Sequence, residues 1–221
     1  MEIIDKSKWP RREHFEFFSP FSDPFFSLTF SLDVTKLYEY TKAKGLSFYY
    51  SLCWLTAKAM NGVEAFKYKI RGDDILLTDE LIPSFTDIRQ NSDLFYIVTL
   101  PAGDDMEDFC FRAGEKSRAQ QKFIDWEEEN DSLIYITCLP WFEMTAFKNE
   151  KDVDKDDSIP RVAWGKYVRR NGALILHYSL ELNHRLTDGR HAGLFYQKLE
   201  ALINAPDKPG LLLTQDNRPA G

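Results

Sequence analysis

The sequence predicts a single domain, over residues 1–221, of mixed helices and strands, and three observations support this fold class. Apolar and polar residues alternate strictly between residues 24 and 34, which is typical of a strand with one buried face. A second alternating segment runs from Ala173 to Asn183. Between them, residues 47–60 are apolar on nearly all sides and predict a buried helix. Strands and helices follow one another in irregular order, so the class is α/β or α+β.

Turn and capping signals predict the other elements. Asp33 and Gly45 are typical of the start and end of a helix, and Asn171-Gly172 is the strongest short hairpin signal. In order, the predicted elements are a short helix or turn over 9–18, a strand at 24–34, helices at 33–44 and 47–60, strands at 66–70, 75–78, 82–88 and 94–100, a helix within 104–123, strands at 133–138, 161–168 and 173–183, and a final helix with Ala192, Phe195, Leu199 and Leu202 on one face.

Composition limits the class of protein. The 221 residues are 43% hydrophobic, which is enough for one sizeable core. A net charge of -7 argues against general nucleic-acid binding, because a phosphate-binding surface needs clustered Lys and Arg. The N-terminus has no long apolar segment, and no apolar run approaches the roughly 20 residues that cross a bilayer. We therefore expect a cytoplasmic protein that does not associate with membranes or nucleic acid.

No metal is expected. Cys53, Cys110 and Cys138 are far apart and lack metal-ligand spacing, so we expect free thiols. The acidic segment 152–157 resembles a calcium-binding loop only in its charge. Asp157 stands at the position where such a loop needs glycine, and Ala163 stands where it needs glutamate.

The candidate site lies where the predicted strand 173–183 meets the final helix. His184 continues the more apolar parity of that strand and leads into the turn Thr187-Asp188-Gly189. An imidazole at the edge of an apolar surface has restricted solvent access and a tunable pKa, as a general base requires. A hydrogen-bonded core histidine is the alternative that this pattern leaves open.

Several motifs along the chain, and not His184 alone, resemble those of a known family. The spacing from His184 to Asp188-Gly189 resembles the His-x-x-x-Asp-Gly signature of the coenzyme A-dependent acyltransferases, which include chloramphenicol acetyltransferases, dihydrolipoyl acyltransferases and peptide-synthetase condensation domains. Residues 9–16 resemble the Trp-x-Arg-x-Glu-His-Phe-Glu opening of the chloramphenicol acetyltransferases. Phe48-Tyr49, Pro140-Trp141 and Gly165-Lys166-Tyr167 follow in that family's order. The resemblance covers most of the chain.

The resemblance implies a fold and an activity. The fold is a two-layer α/β sandwich, with a large, mainly antiparallel or mixed sheet and helices packed on one side. The implied assembly is a homotrimer with active sites between subunits. The implied activity is acetyl transfer from acetyl-CoA, the co-substrate, to the hydroxyl of a small molecule, with chloramphenicol as a candidate acceptor and antibiotic resistance as the associated role.

The resemblance also implies roles for individual residues. His184 would take the proton from the acceptor hydroxyl, and Thr137, where the family has a serine, would donate to the oxyanion of the intermediate. Arg11 and Asp188 would form a buried ion pair that supports the turn holding His184. The positions that would line the acceptor pocket are Phe18, Phe26, Phe85, Thr86 and Phe95.

Three departures from the family leave alternatives open. Thr137 keeps the hydroxyl but adds a methyl group that restricts χ1. Ala163 stands where the family has a threonine that holds an active-site water, and Asn183 replaces the first of two paired histidines. One alternative is therefore a catalytically impaired trimeric homologue that binds a small molecule. Another is an acyltransferase for a different small alcohol or amine.

Overall fold

The secondary structure alternates between strands and helices along the chain. A computed structural model describes residues 1–88, 92–151 and 156–209, so most of the acidic segment 152–157 lies outside the described residues. The described elements are β1 (Glu2–Ile3), α1 (Arg12–Phe18), β2 (Phe25–Asp33), α2 (Thr35–Lys44), α3 (Phe48–Asn61), a short 3-10 helix (Glu64–Lys67), β3 (Tyr68–Arg71), β4 (Asp74–Leu77), β5 (Ile82–Ile88), β6 (Phe95–Thr99), α4 (Met106–Ala119), β7 (Leu133–Leu139), β8 (Arg161–Gly165), β9 (Val168–Arg170), β10 (Ala173–Asn183) and α5 (Gly189–Asn204).

The large sheet has the strand order β2-β10-β8-β7-β5-β6, and β9 pairs with β10. β7 runs parallel to both β5 and β8, while the other pairs in this sheet are antiparallel. The sheet is therefore mixed, which confirms the predicted fold class. A separate small sheet has the order β1-β4-β3.

The two faces of the large sheet have different partners. On β10, the parity that includes Leu176, Tyr178 and Leu180 is buried in a core shared with α3 and α5. The opposite parity faces the segment between β7 and β8, where Lys151 forms an ion pair with Glu181. The alternation in the sequence thus separates a helix-covered face from a face that we call the open face, because no helix packs on its β10 residues in the described part of the core.

The buried helix α3 supports the sheet from the helix-covered side. Ser47 caps it by accepting a hydrogen bond from the Tyr50 N–H, as the sequence predicts. Trp54 is fully buried and donates from its indole nitrogen to the Ala102 carbonyl at 3.1 Å. Thr56 and Tyr178 place their hydroxyls 3.0 Å apart inside the core. These bonds satisfy the polar atoms that the helix buries.

The predicted strand 161–168 is divided in the structure. β8 ends at Gly165, and the Lys166 N–H donates to the Phe142 carbonyl at 2.8 Å rather than to a neighbouring strand. A Cβ atom on Gly165 would lie 2.7 Å from the Cβ of Met144 and 2.8 Å from the Phe142 oxygen. The segment after β7 therefore packs directly on the glycine backbone and interrupts the strand there.

The small sheet contains a buried lysine that the sequence pattern did not predict. Lys69 is fully buried on β3, and its amine donates to the Ser158 carbonyl at 3.4 Å. Burial lowers the pKa of Lys69 to about 7, although the carboxylates of Asp131 and Asp157 act in the opposite direction.

We expect Lys69 to make the stability of the protein rise with pH above neutrality. Between about pH 7 and pH 10, an unfolded lysine stays protonated while the buried amine is neutral, so the unfolded state binds more protons. The free energy of unfolding should rise by about 3 kcal/mol between pH 7 and pH 9.5, as measured by urea unfolding. Lys69→Met should remove this rise, whereas Lys122→Met, at an exposed position, should keep it. Equal slopes in all three proteins would contradict the assignment.

Candidate functional site

The turn between β10 and α5 is closed by hydrogen bonds within its own backbone and to the side chains of Asn183 and Asp188. The Asn183 carbonyl accepts the N–H groups of Leu186 and Thr187, both at 3.1 Å, and the Asn183 Oδ1 accepts the Arg185 N–H at 3.0 Å. Asp188 caps α5, since its Oδ1 accepts the N–H of Arg190 at 2.9 Å. The chain between strand and helix therefore has little freedom to move.

Arg11 holds this turn from the other side. Its guanidinium donates to the Asp188 Oδ2 at 2.6 Å, so the ion pair implied by the resemblance is present. It also donates to the backbone carbonyls of His184 at 2.9 Å and Thr187 at 2.6 Å. A fourth bond runs from its Nε to the Arg185 carbonyl at 3.1 Å. The Arg11 side chain is 10% exposed, and one planar group thus satisfies four acceptors at once.

The carboxylate of Asp188 is stabilised in its charged form. Burial raises the pKa of Asp188, but the hydrogen bond from Arg11 and the charge of its guanidinium bring it below its usual value. His191 contributes a second contact, because its Nδ1 accepts the Asp188 N–H at 3.1 Å. Burial lowers the pKa of His191, which favours the neutral ring that this acceptor role requires.

His184 lies on an aromatic surface at the end of β10. Its backbone N–H donates to the Pro24 carbonyl at 2.8 Å. Its ring stacks on Phe18, with centroids 4.1 Å apart and an interplanar angle of 13°, and contacts Phe26 at 4.6 Å. Nδ1 is buried and has no hydrogen-bond partner among the described residues. Those residues therefore position the imidazole by ring packing and by the backbone hydrogen bond of His184.

Thr137 lies on the open face of the same sheet, away from His184. It pairs with Ala163 on β8, and Ala163 pairs with Ser179 on β10. His184 follows Ser179 by five positions along β10. Neighbouring strands are about 4.8 Å apart and each residue advances about 3.3 Å, so Thr137 and His184 are separated by about 20 Å within one chain. One chain alone does not bring these two groups together.

The predicted acceptor-pocket residues lie in different parts of the structure. Phe18 and Phe26 lie beside His184. Thr86 follows Phe85, which pairs with Ile136, so Thr86 lies beside Thr137 on the neighbouring strand. Phe95 is exposed on β6.

Phe85 lies in the hydrophobic core. It is 1% exposed and packs against Tyr49, Tyr50 and Phe109. The pleat turns its side chain to the helix-covered face, so its predicted contact with an acceptor does not fit this position.

Two residues of the turn were missed by the sequence reasoning, although each carried a signal. Asn183 replaces a histidine of the family, but asparagine commonly bonds a backbone N–H two residues later, as it does here with Arg185. His191 occupies the third position of α5, where a capping box usually has Glu or Gln. Histidine at that position hides the motif.

The described residues set limits on other kinds of site. Within residues 1–88, 92–151 and 156–209, no cluster of three His, Cys, Asp or Glu side chains is arranged to hold a metal ion. In the same ranges, none of the helices has the length and hydropathy that a membrane span requires.

Comparisons with known proteins identify relatives of the chain. The sequence profile of chloramphenicol acetyltransferase matches residues 1–200. Chloramphenicol acetyltransferase 3 of Escherichia coli is 27% identical over 205 residues, which cover 91% of this chain and 96% of that protein. The Clostridium perfringens chloramphenicol acetyltransferase is 26% identical over 212 residues, covering 92% of this chain and 99% of that protein.

Solved structures extend the comparison to the fold. A chloramphenicol acetyltransferase superimposes with a TM-score of 0.83 at 25% identity, covering 91% of this chain and 99% of that one. A probable dihydrolipoamide acetyltransferase from Listeria monocytogenes has a TM-score of 0.65 at 15% identity, covering 99% and 97% of the two chains, and shares the fold.

Proposed function

Because the chain belongs to the chloramphenicol acetyltransferase family, and is therefore an acyltransferase, we propose that it transfers an acetyl group from acetyl-CoA to the hydroxyl of a small molecule. The observation that carries this proposal is the placement of His184. Its ring lies on the aromatic surface of Phe18 and Phe26, at the end of a turn that Arg11 holds by four hydrogen bonds.

His184 acts as the general base. It takes the proton of the acceptor hydroxyl as the oxygen attacks the thioester carbonyl carbon, and a C–O bond forms. Thr137 donates its hydroxyl hydrogen to the oxygen that becomes negative in the tetrahedral intermediate. When the C–S bond breaks, His184 returns the proton to the departing sulfur, so the products are an acetyl ester and free coenzyme A.

A second copy of the chain supplies the missing half of the site. The separation of about 20 Å between His184 and Thr137 is too large for both to contact one carbonyl group. Thr86 lies beside Thr137 on the open face, whereas Phe18 and Phe26 lie beside His184. A contact between two different surfaces of identical chains forms a ring when the rotation from one chain to the next closes, and a homotrimer with sites between subunits meets this requirement.

The acceptor is apolar or aromatic. Phe17 and Phe21 are exposed and extend the aromatic surface around Phe18. Such a surface favours a flat, weakly hydrated molecule over a charged one, because burying an unpaired charge there is costly. Chloramphenicol, the compound named in the relatives, is the first acceptor to test.

Release of free coenzyme A thiol tests the function directly. The protein is incubated with acetyl-CoA alone, with chloramphenicol, and with a panel of small alcohols and amines. Release that depends on an alcohol supports the proposal, and release that depends only on an amine replaces the acceptor class. Calorimetric binding of a small molecule without any thiol release would favour the alternative of a catalytically impaired binding protein. Failure to bind acetyl-CoA would overturn the acetyl-transfer proposal.

We expect two inactive variants to complement each other if the site is shared. Chains with His184→Ala and chains with Thr137→Val are unfolded, mixed in equal amounts and refolded together. In a closed ring, about one quarter of the interfaces then combine an intact His184 with an intact Thr137, so about a quarter of the parent activity should return. Each variant refolded alone is the control. No recovery in the mixture would place both groups in one chain's site.

A further inference from the structure

Lys151 is the centre of a charge network on the open face. Its Nζ lies 2.5 Å from the Glu181 Oε1 and 3.1 Å from the Asp23 Oδ1. The same amine lies 3.8 Å from the centre of the Phe25 ring. The Lys151 side chain is 9% exposed and that of Glu181 is 2% exposed. A lysine that joins two carboxylates at this depth is unlike the other ion pairs of the surface, which contribute little.

Glu181 is fully satisfied only when Lys151 is present. Its Oε2 accepts the Asn149 N–H and the Ser27 hydroxyl, each at 3.2 Å. Lys151 donates to the other oxygen and supplies the only charge that balances Glu181 among its described partners. A buried carboxylate that loses its cation strongly destabilises the folded protein, because its charge is left unpaired.

Asp23 connects the network to the backbone that holds His184. Its Oδ1 accepts the Phe25 N–H at 3.1 Å, so the side chain bridges across Pro24. The Pro24 carbonyl in turn accepts the His184 N–H at 2.8 Å. Burial raises the pKa of Asp23, but hydrogen bonds from Lys151, the Phe25 N–H and Lys148 bring it below its usual value.

The two carboxylates, Asp23 and Glu181, flank the end of β10. Asp23 immediately precedes the residue that bonds the His184 backbone, and Glu181 precedes His184 by three positions on β10. Lys151 therefore links the start of β2 to the end of β10 by side chains, at the point where their backbones also meet. Without it, no cation joins Asp23 to Glu181, and the segment at Pro24 loses this link to β10.

We propose that Lys151 is a positioning residue for acyl transfer, which fixes the His184 backbone through Asp23 and Glu181 without touching a substrate. The proposal rests on the proposed role of His184 as the base. A displacement of about 1 Å in a reacting group costs about 10²-fold in rate, so a small shift of this backbone has a measurable effect.

The chain supplies a matched control. Lys148 also forms an ion pair with Asp23, at 3.1 Å, but its side chain is 62% exposed and it does not contact Glu181. Lys148→Met removes the same charge from the same carboxylate, and leaves the link between β2 and β10 in place.

The kinetic test compares Lys151→Met, Lys148→Met and the double variant Lys151→Met/Glu181→Gln. We expect Lys151→Met to lower kcat by about 10- to 100-fold with the KM for acetyl-CoA changed less than about twofold. Lys148→Met should match the parent protein. The double variant should recover the melting temperature, because it has no unpaired buried carboxylate, but not kcat. Recovery of kcat together with the melting temperature would reduce Lys151 to a purely stabilising residue and overturn the proposal.

A second readout separates this inference from the proposed function. The imidazole signals of His184 are followed by NMR and assigned by their absence in His184→Ala. They should shift in Lys151→Met and in the double variant but not in Lys148→Met. If the parent protein transfers no acetyl group, the proposed function fails, and these signals still decide whether Lys151 positions the ring. Unchanged signals in a folded double variant would overturn the proposal.

Discussion

His184→Ala is expected to lower the turnover number for acetyl transfer by about 10²- to 10⁴-fold and to leave the fold intact. The backbone bonds of residue 184, to the Pro24 carbonyl and from Arg11, do not need a histidine side chain. The ring nitrogen Nδ1 has no partner among the described residues, so removing it leaves none of them unsatisfied. The variant loses only the packing of the ring on Phe18 and Phe26.

Thiol release and the melting temperature measure this prediction together. His14→Ala is the matched control, since His14 is an exposed histidine of α1. The control should keep the parent's turnover number. A His184→Ala protein with undiminished turnover would show that another group is the base, and a collapsed melting temperature would show that the histidine is instead part of the core.

Arg11→Met is expected to affect both stability and catalysis. The change removes four hydrogen bonds, three of them to backbone carbonyls of the turn and one to the Asp188 carboxylate. Asp188 is 32% exposed and regains some hydration, so we expect the free energy of unfolding to fall by about 2 to 5 kcal/mol rather than more. The turnover number should fall by about 10²-fold, because the turn no longer holds His184.

Two comparisons show which part of the Arg11 contact matters. Arg12→Met removes the neighbouring arginine, which forms an ion pair with exposed Glu16, and we expect less than about 1 kcal/mol of change. Arg11→Lys keeps the charge and loses the planar fork, so it should recover the ion pair but not the three carbonyl bonds. Urea unfolding of the three variants gives the ranking. Equal stability of Arg11→Met and Arg12→Met would refute a structural role for the four bonds.

Local sequence patterns predict most helices and strands of this fold, but they do not predict which strands pair with each other. The alternation in β2 and β10 and the caps at Ser47 and Gly45 depend on residues close in sequence, and the structure contains these elements near the expected bounds. The pairing of β2 with β10, and the parallel run of β7 between β5 and β8, join distant segments. No local periodicity specifies such pairings, so they required the family resemblance or the structure.

The candidate site likewise has features that sequence motifs predict and features that depend on the tertiary structure. The residues His184, Asp188 and Arg11 follow from motifs, and the structure brings them together at the turn. The distance between Thr137 and His184 depends on strand order, which the motifs do not contain. The burial of Lys69 and the low exposure of the Lys151 side chain could not be predicted, because a buried lysine looks the same in a sequence as a solvated one until its long-range partners are known.

The contacts of Arg11 can form only late in the synthesis of the chain. Arg11 bonds residues that follow it by 173 to 177 positions, and β2 pairs with β10, the last strand among the described residues. A nascent chain that has not yet emerged from the ribosome as far as β10 therefore lacks the β10 partner of β2, so that neither edge of β2 is paired, and Arg11 lacks its acceptors. Open strand edges are where incomplete chains aggregate. Arg11 and β2 consequently find their partners only after almost the entire described chain has been synthesised. A translation product that ends before residue 184 lacks the turn altogether.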